Sequence, residues 1–416
     1  MTTLVSHTND ESPALLFNGF VGRIPIYDRS LNLFGYDLKV CGIEHSSPVS
    51  GFGSMSDATD STIIRASEEV ALSDLVGGNC GFLSVSDSLL SHVDDLSWPK
   101  EQVVLKIPAA FYSESRMACI RELHKAGYRI AIERNSSAID ELDAVKAASV
   151  CSIDAAGRLP ETSSFVARLH DHGIKLFARN IESSAQFELL QSLGCDLFQG
   201  KYFEQPKPVT NHFIAANKAA ALELLARLND PKVVIEEVER LVSQDVTLSY
   251  KILRLINTAY FGMPKRIESI GRAVLFFGLD RIKNWASVIV YNSIEYKPRE
   301  LLTTALVRAR TCEMLAEKLG RKKPESYFVA GLFSMLDAII DLPISEIVEQ
   351  IKLSEEICAA LVEGTGPISE ILTSFLAIEN GVSYPSVFGL LNDGIALECY
   401  IEAIRWVNSI QQAIAD

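Results

Sequence analysis

Between residues 101 and 203 the chain repeats one rhythm. A short apolar run gives way to an amphipathic stretch, a loop or glycine follows, and the apolar run returns about every 22 to 25 residues. Residues 103–107, 128–132, 150–153, 174–178 and 196–199 read as strands. Residues 114–126, 138–148, 164–172 and 183–193 read as the helices between them. Parallel strands cannot be joined by a tight turn, so each needs a crossover of this length. Gly127, Gly173 and Gly194 each stand just before a strand, where a helix C-cap belongs.

The first part of the chain is built differently. Two strand-like runs, 15–27 and 33–40, are joined by Asp28-Arg29-Ser30, a hairpin turn. The stretch 45–61, rich in Ser, Gly and Asp, reads as a loop. Together these parts describe a (β/α) barrel of the TIM type entered through an antiparallel hairpin. A doubly wound open sheet is the alternative, and no compositional switch favours it.

After Pro206-Lys207-Pro208 strand signals almost vanish. Asp230 is expected to cap a helix with Pro231 at its first position. Further helices are expected near 247–258, 268–278, 279–293, 301–319, 325–340, 344–350, 354–363, 367–380 and 393–414. The fold class is therefore α/β plus all-α, with a barrel over 1–206 and a helical domain over 207–416. A chain of 416 residues is long enough for two cores.

A formal net charge of −14 argues against broad nucleic-acid binding and against anionic membranes. Arg321-Lys322-Lys323 is too short a basic run to change that. The eight cysteines form no CxxC pair and no dense disulfide pattern. With no basic leader followed by an apolar run, and no bilayer-length segment, a reducing cytoplasm is the expected compartment.

All seven histidines lie between positions 7 and 212, so the helical half has none. An all-α metallophosphohydrolase needs imidazole ligands, and that chemistry is not expected there. In this half, VTLSYKILRLINTAYF at 246–261, the run from Ile267 to Leu279, and AGLFSMLDA at 330–338 resemble the HDOD domain. That resemblance implies an HD phosphohydrolase fold without its metal ligands, with Leu336-Asp337 where a His-Asp pair would stand.

FVGRIPIYDRSLNLFGYDLKV at 20–40 and GCDLFQGKYF at 194–203 resemble the opening hairpin and closing motif of the EAL family of cyclic di-GMP phosphodiesterases. The resemblance implies a (β/α) barrel with an altered site. Asp37 replaces the signature glutamate, Cys41 an arginine, Ser84 a metal-binding asparagine and Lys106 a second glutamate ligand. Glu133-Arg134 replaces paired aspartates, Ser152 a lysine and Arg179 another glutamate. Asp154, Glu182 and Gln199 keep their family identities. Phosphodiester cleavage with a divalent cation wants convergent oxygen ligands, and cations at Lys106, Arg134 and Arg179 oppose one.

The resemblance thus implies a non-enzymatic signalling scaffold in a cyclic di-GMP-related pathway. Its partners are other signalling proteins, without cofactor, metal, nucleic acid or membrane insertion. Cyclic di-GMP itself is not the expected ligand. The alternatives are a receptor that binds cyclic di-GMP without cleaving it, and residual phosphodiesterase activity. Asp154 is expected to cap the next helix or pair with Arg179, and Glu133 to pair with Arg134. Trp285 and Trp406 are expected in the core. Lys251 and Arg254, with Lys265 and Arg266 in the next loop, are the expected exposed partner contacts.

Overall fold

The computed structural model describes residues 19–42, 55–108, 114–133, 147–156, 163–206, 216–257, 267–292, 298–351, 353–380 and 393–415. Arg134, Lys265, Arg266, the Cys41 side chain and nearly all of the helix expected at 138–148 lie outside that set.

Among the described residues, eight strands close into a barrel in sequence order. They are β1 (Gly19–Asp28), β2 (Leu33–Gly42), β3 (Cys80–Ser84), β4 (Val103–Ile107), β5 (Arg129–Glu133), β6 (Val150–Asp154), β7 (Lys175–Arg179) and β8 (Leu197–Phe198). Strands β2 to β8 run parallel, whereas β1 is antiparallel to both its neighbours. Closure removes the open-sheet alternative. Asp28 fixes the entry hairpin, its Oδ1 accepting the amides of Ser30 and Asn32 at 2.8 Å each. Gly127, Gly173 and Gly194 all have positive φ, as helix C-caps ahead of a strand require.

Among the described residues six α-helices accompany the barrel: α1 (Met55–Glu69), α2 (Leu72–Val76), α3 (Asp87–Ser91), α4 (Glu114–Lys125), α5 (Ser163–Asp171) and α6 (Ser184–Ser192). The loop expected over 45–61 is thus corrected, since α1 already begins at Met55. Ile63, Ala66 and Val70 of this segment are buried at helical spacing, and burial outweighs the polar composition of its first turns.

The rest of the described chain is helical: α7 (Ala216–Asn229), α8 (Ile235–Gln244), α9 (Val246–Ile256), α10 (Ile270–Phe277), α11 (Leu279–Asn292), α12 (Arg299–Lys318), α13 (Pro324–Phe333), α14 (Leu336–Ile340), α15 (Ile344–Ile351), α16 (Glu355–Cys358), α17 (Gly366–Glu379) and α18 (Asp393–Ala415). Asp230 does not cap a helix. Its carboxylate takes the Lys232 amide at 2.8 Å in a turn, and α8 starts after Val234. The single helix expected at 325–340 is two, broken where Ser334 Oγ donates back to the Gly331 carbonyl at 2.7 Å. Asp337 lies in the first turn of the second, which begins at Leu336. The helix expected at 354–363 is α16 followed by a π-helical turn, Ala359–Glu363. No helix among the described residues is long and apolar enough to cross a membrane.

The strand register decides what each face holds. Ile26, Phe82, Val104, Ala131, Val150, Phe177 and Leu197 are buried together inside the barrel. The larger apolar cluster is continuous from the barrel's outer shell into the helices. Phe20 of β1 lies 4.8 Å from Tyr400 of α18 and 6.3 Å from Phe375 of α17, centroid to centroid. At Gly22 a Cβ would stand 2.6 Å from the Glu379 carbonyl oxygen, so only glycine permits this approach.

Candidate functional site at the barrel mouth

Inward positions recur every second residue, and the register links them across strands. Asp37 pairs with Phe82, Ser84 with Lys106, Glu133 with Ser152, and Asp154 with Arg179. One layer above the apolar interior therefore carries Asp37, Ser84, Lys106, Glu133, Asp154, Arg179 and Gln199. These lie at the C-terminal ends of the parallel strands, where barrel side chains converge.

Their charges are spent on one another. Asp37 and Lys106 are buried and ion-paired through Oδ1 and Nζ. The other oxygen, Oδ2, accepts Gln199 Nε2 at 3.2 Å and faces Lys39 Nζ at 3.1 Å. Burial alone would raise the Asp37 carboxyl, but Lys106 and Lys39 outweigh it and hold the carboxyl below its ordinary value. Burial lowers the Lys106 ammonium, and Asp37 only partly restores it.

Arg179 pairs with Glu133 at 2.7 Å, not with Asp154. Asp154 instead holds a turn. Its Oδ1 accepts the Ala156 amide at 2.9 Å and its Oδ2 accepts Asn180 Nδ2 at 2.8 Å. Asn180 sits at φ +58, a left-handed conformation that asparagine tolerates. Among the described residues Asp154 therefore serves this turn rather than Arg179, while Glu133 meets Arg179 from two strands away, and the expected Glu133–Arg134 pair lies outside the described residues. Ser84 is exposed at the rim. Glu182 is exposed in the loop before α6 and does not join the layer, its amide bonding Gln186. Among the described residues no three His, Cys, Asp or Glu side chains gather in a metal-binding group.

A second polar group escaped sequence reasoning. Tyr36, on the opposite face of β2 from Asp37, donates to Glu300 Oε1 of α12 at 2.7 Å. The Arg23 guanidinium stacks 4.5 Å over the Tyr36 ring and donates to the Leu75 carbonyl at 2.6 Å. Arg308 bonds Glu379 at 2.8 Å and Glu204, just past β8, at 3.0 Å. Burial raises the carboxyls of Glu300 and Glu379, with Arg23 and Arg308 pulling the other way. The signal was present in the alternation of 20–27, which places Arg23 among residues that are otherwise apolar.

The expected partner residues fare unevenly. Leu248, Ile252, Leu255 and Ile256 are buried as their spacing requires. Lys251 and Arg254 are half-buried rather than exposed, and each interacts with neighbours. Tyr250, on the same helix, is exposed at 57%.

An EAL domain matches residues 82–206, and an HDOD domain matches residues 215–353. The chain is a tandem EAL–HDOD protein. It is 26% identical over 408 residues to the uncharacterized protein YuxH of Bacillus subtilis, covering 95% of this chain and 99% of that one. It is 28% identical over 414 residues to the cyclic di-GMP phosphodiesterase CdgJ of Vibrio cholerae, covering 96% of this chain and 94% of that one. Among solved structures, a standalone EAL protein from Vibrio cholerae O395 in its c-di-GMP-bound form is 18% identical. It covers 45% of this chain and 92% of its own, with a TM-score of 0.35.

Proposed function

We propose that this protein is a non-enzymatic signalling scaffold in a cyclic di-GMP-related pathway, acting through other signalling proteins. The observation that carries this reading is the buried Asp37–Lys106 pair, a salt bridge at two positions where the family resemblance implies glutamates. A carboxylate whose two oxygens already serve Lys106, Lys39 and Gln199 has most of its lone pairs engaged, and two ammonium groups beside it oppose a metal cation. The vestigial site comprises Asp37, Ser84, Lys106, Glu133, Asp154, Arg179, Glu182 and Gln199. The working units are 1–206 and 207–416, with recognition on the helical unit around Lys251, Arg254, Lys265 and Arg266.

The test is incubation of the full chain with cyclic di-GMP and either magnesium or manganese, following the linear dinucleotide. No metal-dependent product is expected. A second reading, phosphodiesterase activity, is favoured by the name borne by the Vibrio cholerae relative. Metal-dependent turnover that Asp154→Ala abolishes would establish it in place of the scaffold.

A further inference from the structure

A pocket of about 120 Å³ opens between four helices of the C-terminal half. Its apolar walls are Trp285 of α11, Phe328 of α13 and Trp406 of α18, each buried. Its polar atoms come from Asn284, Arg310 and Glu313, with Arg281 beside them on α11. Positions 281, 284 and 285 share one helix face, as do 310 and 313 on α12.

We propose that this pocket binds a mononucleotide, the base inward against the aromatic walls and the phosphate outward at Arg281. A closed cavity of about 150 Å³ holds a benzene-sized ring, so this open pocket of about 120 Å³ covers one planar ring in part and leaves the sugar in solvent. It is far too small to enclose a cyclic dinucleotide.

The walls suit a nucleobase because aromatic side chains stack on the π-face of any base. Arg310 donates to Glu313 Oε2 at 2.7 Å, so a cation and a carboxylate stand side by side in the lining. Nucleobase edges present an acceptor next to a donor, and that pair answers both: guanidinium to ring oxygen or nitrogen, carboxylate to N–H. The Glu313 side chain is only 5% exposed. Arg310 already compensates that buried charge, so the pair is stable on its own and offers its remaining donor and acceptor sites to a polar edge. Arg281 differs from both. Its side chain is 39% exposed and lies 3.8 Å from Glu317, a loose pair at the surface. A phosphate bound there gains the charge-assisted bonds that guanidinium supplies best.

The proposal does not depend on the barrel or on the scaffold reading. The experiment is fluorescence titration of the full chain carrying Trp98→Phe, which leaves Trp285 and Trp406 to report on the pocket. The probes are the four common nucleoside 5′-monophosphates, their nucleosides, and ribose 5-phosphate. At least one monophosphate is expected to quench saturably, more tightly than its nucleoside, while ribose 5-phosphate leaves the signal unchanged. Glu313→Gln should weaken binding about tenfold, the loss of one charged hydrogen bond. Arg281→Gln, at the surface, should erase the advantage of monophosphate over nucleoside, which keeps the test open if the buried variant does not fold. No saturable response by about 5 mM, beyond the range of weak ligands, overturns the proposal. So does equal binding of ribose 5-phosphate, which would mean that only phosphate is held.

Discussion

Tyr36 and Asp37 are neighbours on one strand and face opposite ways. Asp37 meets Lys106 inside the barrel mouth, and Tyr36 donates to Glu300 of the helical half. The residue that closes the mouth therefore shares its backbone with the residue that fastens the second half of the protein. Substitutions on either side of that strand report on different forces.

Lys106→Met should destabilise the protein by about 3 kcal/mol, because it strands a buried carboxylate. The cost falls at the low end of the range for broken buried pairs, since Lys39 remains near Asp37. The double variant Asp37→Leu with Lys106→Met should recover most of the loss. Urea denaturation of both variants decides this. A double variant as unstable as the single one would mean that the pair is not what the interior needs.

Phe20→Ala should cost about 3–5 kcal/mol, the usual range for a buried ring lost from a core. Phe20 fills the space between Phe375 and Tyr400, so the loss falls between the two halves. Its check is the same denaturation curve, read alongside near-ultraviolet circular dichroism of the tyrosines.

Acid and base should act on stability through different groups. Glu300, Glu379 and Glu313 have carboxyls raised above 4.5 by burial, so the folded state binds protons that the unfolded state has released. Their contribution is greatest below about 4.5 and declines as pH rises from there through their folded values. Asp37 is lowered below 3.8, so its contribution is present above that value and lost as pH falls through its folded value. Stability measured by urea from pH 3.5 to 8 should therefore fall on the neutral side, and Glu300→Gln should flatten that fall.

Residues 1–206 expressed alone should not remain a folded monomer. That fragment exposes Phe20 and Tyr36 and leaves Arg23 and Glu204 without Glu300, Glu379 and Arg308. Size-exclusion chromatography and far-ultraviolet circular dichroism test this. A stable monomeric fragment would show that the interface is dispensable.

Much of the barrel was readable because its periods are local. The strand at 103–107 and the glycine-capped helices follow from patterns a few residues long. The position of the mouth residues was readable too, since every second residue of a barrel strand faces inward. Their partners were not. Arg179 pairs with a strand two removed in space, and Asp154 with an asparagine in the loop after β7, and neither relationship leaves a mark in local spacing. The start of α1 at Met55 was hidden by the polar residues that open it, because the burial at Ile63 and Ala66 that favours the helix comes only with the barrel behind it. Trp285 and Trp406 were placed in the core correctly, but only the packing of four helices shows that they border an opening.

Strand β1 touches β8 at only two register positions, Tyr27 with Phe198 and Asp28 with Leu197. Strand β1 runs on to Gly19 beyond that short pairing, and α17 packs against it at Gly22 so closely that no side chain fits between. A cooper would say that one stave of this cask is braced by the neighbouring timber. The two halves are thus not interchangeable parts. Grafting this barrel onto another domain, or this helical half onto another barrel, requires carrying over the contact surface at Gly22, Phe20 and Glu379 as a unit.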